Sequence, residues 1–176
     1  MAEVAERDRD IGVVPIGAQP MVHLLAGQMC FGAGKARVCT LLGSCVGVTL
    51  WHPARRIGGM CHFLLPRRAR PGAGPRDARY GDEALSLLVE ALRRAGTQPG
   101  DYEAHLYGGA DTMPDSAGVK FNVGQRNIEQ GWALIADNGF SLQSVDVGDV
   151  VPRTVSLDLG TGAVTMRRGN SMRSTP

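Results

Sequence analysis

Cys45 and His62 are the residues of this chain whose types and spacing best suit a reaction. A thiol beside an imidazole is a minimal nucleophile and base: the ring takes the thiol proton, and the imidazolium so formed can protonate a leaving amine. That pairing suits acyl transfer from an amide. The attacked carbonyl oxygen gains negative charge, and the backbone N–H groups around Gly43, Ser44 and Cys45 are the donors expected to receive it, with Gly43 allowing close backbone approach. Ser44 adjoins the nucleophile, but along an extended chain its side chain points to the opposite face, which suits it to supporting the turn. A third group is needed to orient His62. No acidic residue lies between positions 11 and 76. The hydroxyl of Thr40, ahead of Cys45, is therefore the first choice, with Asp111, Asp137 or Asp146 as carboxylates from the second half of the chain.

The elements that must hold this pair read as one hairpin. Residues 46–51 are rich in β-branched side chains, 52–56 carry turn chemistry, and 57–65 read as the return strand. The midpoint of positions 45 and 62 falls between Pro53 and Ala54. A regular register about that point makes the two residues cross-strand partners, with Cβ atoms roughly 4.5 to 5.5 Å apart. A slip of one residue would send them to opposite faces.

Length and composition bound the rest. A chain of 176 residues suits one domain able to bury a core without disulfide or metal support. Residues 1–18 read as a mobile N-terminal arm, 19–167 as the single domain and 168–176 as a frayed tail. The net charge of +2 is too small to argue for nucleic acid or an anionic membrane surface. No apolar run approaches the roughly 18 to 20 residues that span a bilayer, and the charged N-terminus is unlike a secretory signal, so a cytoplasmic protein is expected. The cysteines at 30, 39, 45 and 61 lack the close pairing of common zinc sites, and cytosolic conditions argue against structural disulfides. Cys30, Cys39 and Cys61 are read as small buried hydrophobes.

Residues 21–26 and 36–42 are strand candidates, and Gly27 with the Gly32-Ala33-Gly34 cluster breaks the chain between them. Residues 66–79 read as a loop by composition. A helix is predicted from Asp82 to Ala95 on the spacing of Leu85, Leu88, Val89 and Leu92, and a second after Asn122, with Ile128, Trp132 and Ile135 on one face before Gly139. Strands are expected at 102–107, 141–147, 151–159 and 163–167, the last two joined as a hairpin through 160–162. Clustered strands with two helices favour an α+β layered fold over a doubly wound one.

The runs Leu42-Gly43-Ser44-Cys45-Val46, Gly58-Gly59-Met60 through His62, Leu65-Pro66, Tyr80, Gly108-Gly109-Ala110 and Asn122-Val123-Gly124-Gln125-Arg126-Asn127 closely resemble the CheD family of chemoreceptor glutamine deamidases. The resemblance extends over about residues 20–165. It implies a cysteine hydrolase that converts glutamine side chains to glutamate on the cytoplasmic region of methyl-accepting chemotaxis receptors. It also implies a layered α/β/β sandwich with two packed mixed β-sheets and two main helices, similar to deamidating toxin cysteine hydrolases. Cys45 is then the nucleophile, His62 the base and a threonine ahead of Gly-Ser-Cys the third member. A CheC-type phosphatase is an expected further partner, and a monomer with no cofactor and no metal is expected. The chain departs from the family pattern twice. Cys39 stands six places before Cys45, where the family run carries threonine, with Thr40 one place later; and residues 146–149 read Asp-Val-Gly-Asp where a paired glycine commonly follows an acidic residue. Either the strand is one residue shorter before the turn, which lets Thr40 fill the role, or the third position is altered. The competing reading is a receptor- or phosphatase-binding adaptor with deamidation weak or lost. The arginines at 67, 68, 70, 76 and 79 are a candidate docking surface for an acidic receptor flank.

Overall fold

The computed structural model describes residues 19–112 and 122–169. The arm expected at 1–18 lies outside them, as does the tail beyond 169; Arg168, expected to open that tail, closes a strand instead.

Nine strands and two helices occur in the described residues: β1 (Met21–Leu24), β2 (Met29–Gly32), β3 (Arg37–Leu42), β4 (Val46–His52), β5 (Ile57–Phe63), α1 (Gly81–Arg94), β6 (Glu103–Gly108), α2 (Val123–Asn138), β7 (Ser141–Val147), β8 (Arg153–Asp158) and β9 (Val164–Arg168). They form a four-stranded sheet in the order β1-β3-β8-β9 and a five-stranded sheet in the order β2-β5-β4-β6-β7. Both are mixed, since β1 runs parallel to β3 and β6 parallel to β7 while the other pairs are antiparallel.

The five-stranded sheet is the middle layer, and alternation along its strands decides what each face meets. Val46, Val48 and Leu50 of β4 and Phe63 of β5 join Leu85, Leu88 and Leu92 of α1 and Ile128 and Ile135 of α2 in one buried cluster. Met60 and Tyr107 point the other way, into a second cluster with Val38 and Leu42 of β3 and Val155 and Leu157 of β8. The result is the expected α/β/β sandwich.

Two expectations are corrected. β2 forms despite the flanking glycines, because Gly59 of β5 opens a lane for it: a β-carbon there would lie 2.2 Å from the Cys30 carbonyl oxygen. Trp132 does not share the buried face of Ile128 and Ile135 but is 47% exposed. The face that α2 buries is Gly124, Asn127, Ile128, Gly131 and Ile135, and with glycines there the helix sits too close to the sheet for an indole.

Candidate active site

The β4–β5 turn fixes the placement of Cys45 and His62, and it differs from the expected turn by one position. His52 pairs with Ile57, and the Arg56 N–H closes the four-residue loop onto the His52 carbonyl at 2.8 Å, with Arg56 in the left-handed region at φ 52°. Pairing then runs Gly47↔His62 and Val46↔Phe63. Cys45 is therefore not the direct partner of His62, as the sequence midpoint suggested. It is the diagonal neighbour, offset by two residues. An offset of two keeps the face, so both side chains belong to the side that looks toward the four-stranded sheet. The direct partner, Gly47, puts no side chain between them.

From the opposite sheet comes Thr40, on β3. Its face is set by parity: Val38, Thr40 and Leu42 point inward, and Cys39 points the other way. The Thr40 hydroxyl lies 2.6 Å from His62 Nδ1 and donates to the Leu24 carbonyl at 2.8 Å. With its one proton on Leu24, the hydroxyl oxygen can only accept from the ring, so Nδ1 carries the imidazole proton and Nε2 is left with a lone pair. Nε2 is buried and has no partner among the described residues. Of the carboxylate alternatives, Asp146 is engaged by Arg153 and Arg168 and Asp137 faces out from α2, while Asp111 is tied through its backbone N–H to the Asp149 carbonyl at 2.8 Å.

The backbone of the Cys45 turn is held by its carbonyls. Gly43 O accepts from Ala110 N–H at 2.9 Å, Cys45 O from Gly109 N–H at 2.8 Å, and Ser44 O from the Asn127 side chain at 3.1 Å. Among the described residues, the N–H groups of Gly43, Ser44 and Cys45 make no backbone hydrogen bond. A turn with its acceptors tied and its donors spare has the polarity an oxyanion needs. Gly108 and Gly109 permit the clamp: a β-carbon on Gly108 would stand 2.3 Å from the Cys45 carbonyl oxygen, and both glycines have positive φ.

Burial pushes the His62 imidazole down to about 4 and the Cys45 thiol up from its ordinary value. At neutral pH the pair rests as thiol and neutral imidazole, and charge separates only when the proton moves. The other cysteines are more deeply enclosed, with burial holding Cys30 at about 11 and Cys61 at about 12. Among the described residues no three His, Cys, Asp or Glu side chains come together to hold a metal ion.

The arginine loop is less available than its composition suggested. Arg68 is bonded twice to Glu83, at 2.8 and 2.9 Å, and to the Ala73 and Pro75 carbonyls. Arg76 pairs with Glu90, Arg79 with Asp77, and Arg67 reaches Gln130 at 3.3 Å. Arg68, Arg76 and Arg67 thereby lay the loop onto α1 and α2, while Arg79 pairs within it.

The structure groups Cys45, His62 and Thr40 as the sequence reading expected, and it adds two supports that the reading did not single out. Asn127 belongs to a Gly124–Asn127–Gly131 stripe at helical spacing, a signal that was present. Arg153, fully buried and bonded to Asp146 and to the Gly148 and Val151 carbonyls, opens a strand of mixed polarity and gave none.

Residues 64–168 match the sequence profile of the family described as CheD chemotactic sensory transduction. A protein of Dechloromonas aromatica named "Probable chemoreceptor glutamine deamidase CheD 3" is 43% identical over 143 residues, covering 81% of this chain and 84% of its own. "Probable chemoreceptor glutamine deamidase CheD" of Pseudomonas syringae pv. syringae is 40% identical over 155 residues, covering 87% of this chain and 86% of its own. The relative with the same name in Thermococcus kodakarensis is 39% identical over 127 residues, covering 72% of this chain and 79% of its own.

Proposed function

The chain belongs to the CheD family, and on that premise we propose that it deamidates glutamine side chains of methyl-accepting chemotaxis receptors with Cys45 as nucleophile, His62 as base and Thr40 as the group that orients the base. One observation carries the assignment. The Thr40 hydroxyl sits on His62 Nδ1 with its own proton committed to Leu24, which leaves Nε2 as the basic atom.

Nε2 takes the thiol proton as the sulfur attacks the glutamine Cδ. The carbonyl oxygen becomes an oxyanion facing the free N–H groups of the Gly43-Ser44-Cys45 turn. Collapse of the tetrahedral intermediate breaks the C–N bond, the imidazolium gives its proton to the departing nitrogen, and ammonia leaves a γ-glutamyl thioester. Nε2 then removes a proton from water, whose oxygen attacks the thioester carbon. Release of glutamate returns the proton to sulfur. Neither step needs a cofactor. The imidazolium would be short-lived in a site that disfavours charge, which drives the proton onward to ammonia.

A chemoreceptor presents its glutamines inside the cell, so the chain acts in the cytoplasm. It works on that surface as a monomer, and a CheC-type phosphatase is the second expected partner. Incubation with a receptor cytoplasmic fragment should raise the mass of selected glutamine peptides by about one unit, and Cys45→Ala should abolish the change. A receptor that binds without any mass change would favour the adaptor reading. Activity surviving in Cys45→Ala would remove the nucleophile.

A further inference from the structure

Asn127 is a buried polar side chain for which the reaction has so far no use. It is fully buried on α2, and its amide nitrogen donates to two backbone carbonyls, Ser44 at 3.1 Å and Leu64 at 2.8 Å. Ser44 immediately precedes the nucleophile, and Leu64 lies two residues beyond the base. One carboxamide thus joins the turn that carries the sulfur to the strand that carries the imidazole.

The register explains why such a link matters. The β4–β5 ladder ends at Val46↔Phe63, so the sheet's own hydrogen bonds stop one residue short of Cys45. The helix is built to reach that gap. A β-carbon on Gly124 would lie 2.5 Å from the Gly109 carbonyl oxygen, and one on Gly131 would lie 2.7 Å from Leu106 Cδ1. With glycine on either side, a side chain as short as asparagine's spans from the helix to the turn. Packing alone would favour an apolar residue here, since an enclosed carboxamide is costly unless its polar atoms are bonded. Asn127 Oδ1 has no partner among the described residues, so the site keeps the amide for its nitrogen.

We infer that Asn127 is a positioning residue for the deamidation: its carboxamide clips the Cys45 turn to the end of β5 and keeps the sulfur in reach of His62 Nε2. The inference rests on the Cys–His reading above and adds to it a residue that touches neither substrate nor sulfur and acts through the Ser44 and Leu64 carbonyls. When the clip is lost, the thiol ionises alone, without the base.

Asn127→Asp, nearly the same shape but without the donating NH2, and Asn127→Ala test it beside wild type and His62→Gln. Each is first shown to be folded by circular dichroism and its melting temperature. In the folded variants kcat on a receptor fragment should fall ~100-fold with KM little changed. Iodoacetamide alkylation of Cys45, read by peptide mass spectrometry from pH 5 to 10, should lose the base-assisted rate that persists below the thiol's own ionisation and converge on the profile of His62→Gln. Two results would overturn the inference: unchanged kcat and profile, or a loss of activity that follows melting temperature while the wild-type profile is kept. Should neither variant fold, NMR of the wild-type chain decides. The Asn127 side-chain amide protons should exchange slowly and shift when Cys45 is alkylated, and rapid exchange would sink the idea. A wild-type chain that converts no glutamine would defeat the functional reading, whereas alkylation and NMR would still judge Asn127.

Discussion

The Thr40 hydroxyl and the His62 Nδ1 atom meet at 2.6 Å across the gap between the two sheets. Thr40→Val keeps the shape and removes the acceptor, so the ring is free to exchange tautomers and to rotate. Deamidation should fall ~100-fold or more, within the range a positioned base contributes, and Thr40→Ser should restore most of it. The rate of mass gain on a receptor fragment checks both; equal rates for wild type and Thr40→Val would strip Thr40 of its role.

Burial of His62 has a consequence for stability as well as for catalysis. Its folded value of about 4 lies below the ordinary 6.5, so between those limits the unfolded chain holds the extra proton. Stability is therefore complete above pH 6.5 and drains as pH falls through the window, by about 3 kcal/mol in all. Urea unfolding at pH 7 and pH 4 should show this loss in wild type and not in His62→Gln. Parallel losses in both chains would contradict it. The acid limb of kcat/KM should likewise lie near pH 4, well below the ordinary imidazole range.

Chemical labelling should separate the four thiols. Cys45 is partly exposed, whereas Cys30, Cys39 and Cys61 are buried, and burial holds Cys30 and Cys61 protonated at neutral pH. Because the thiolate is the reactive form, limiting iodoacetamide should modify Cys45 first, and one adduct per chain should end activity. Peptide mapping reads the order directly.

Gly108→Ala introduces a β-carbon 2.3 Å from the Cys45 carbonyl oxygen at a residue with φ +106°. The backbone strain alone costs roughly 1 to 3 kcal/mol, and relief of the clash displaces the nucleophile's own peptide. Activity should drop by more than the fall in melting temperature explains, whereas Gly139→Ala, strained at the α2 C-terminus but meeting nothing within 4 Å, should lose stability and keep kcat.

Arg153→Met should show the cost of buried carbonyls left without a donor. The Gly148 and Val151 carbonyls lose the guanidinium, while Asp146 keeps Arg168, at a cost of about 1 to 3 kcal/mol. Chemical denaturation measures it, and a stability equal to wild type would mean that those carbonyls find other donors.

Which parts of this molecule could be read from its residues follows from how local their causes are. The helix at Leu85, Leu88, Val89 and Leu92 announces itself by period, the strands around Cys45 by β-branched content between turn signals, and a thiol, an imidazole and a hydroxyl announce their chemistry by type. The β4–β5 register did not, because a four-residue loop with Arg56 left-handed moves the pairing by two while leaving the pattern of faces intact. Thr40 and Cys39 could be told apart only once β3 had a sheet to face, since alternation says that neighbours diverge and not which one looks inward. β2 was hidden by its glycine neighbours, although the glycine that mattered, Gly59, lies across the sheet in β5. Asn127 was legible as part of a motif and illegible as a link, because the two carbonyls it serves lie 83 and 63 positions away.

His62 and Thr40 belong to different layers, and only the stacking of those layers holds them together. On the proposed roles, an acid-swollen globule that retained every strand but let the sandwich breathe would already be inert, so deamidation would gauge tertiary order, failing earlier than any measure of secondary structure would report.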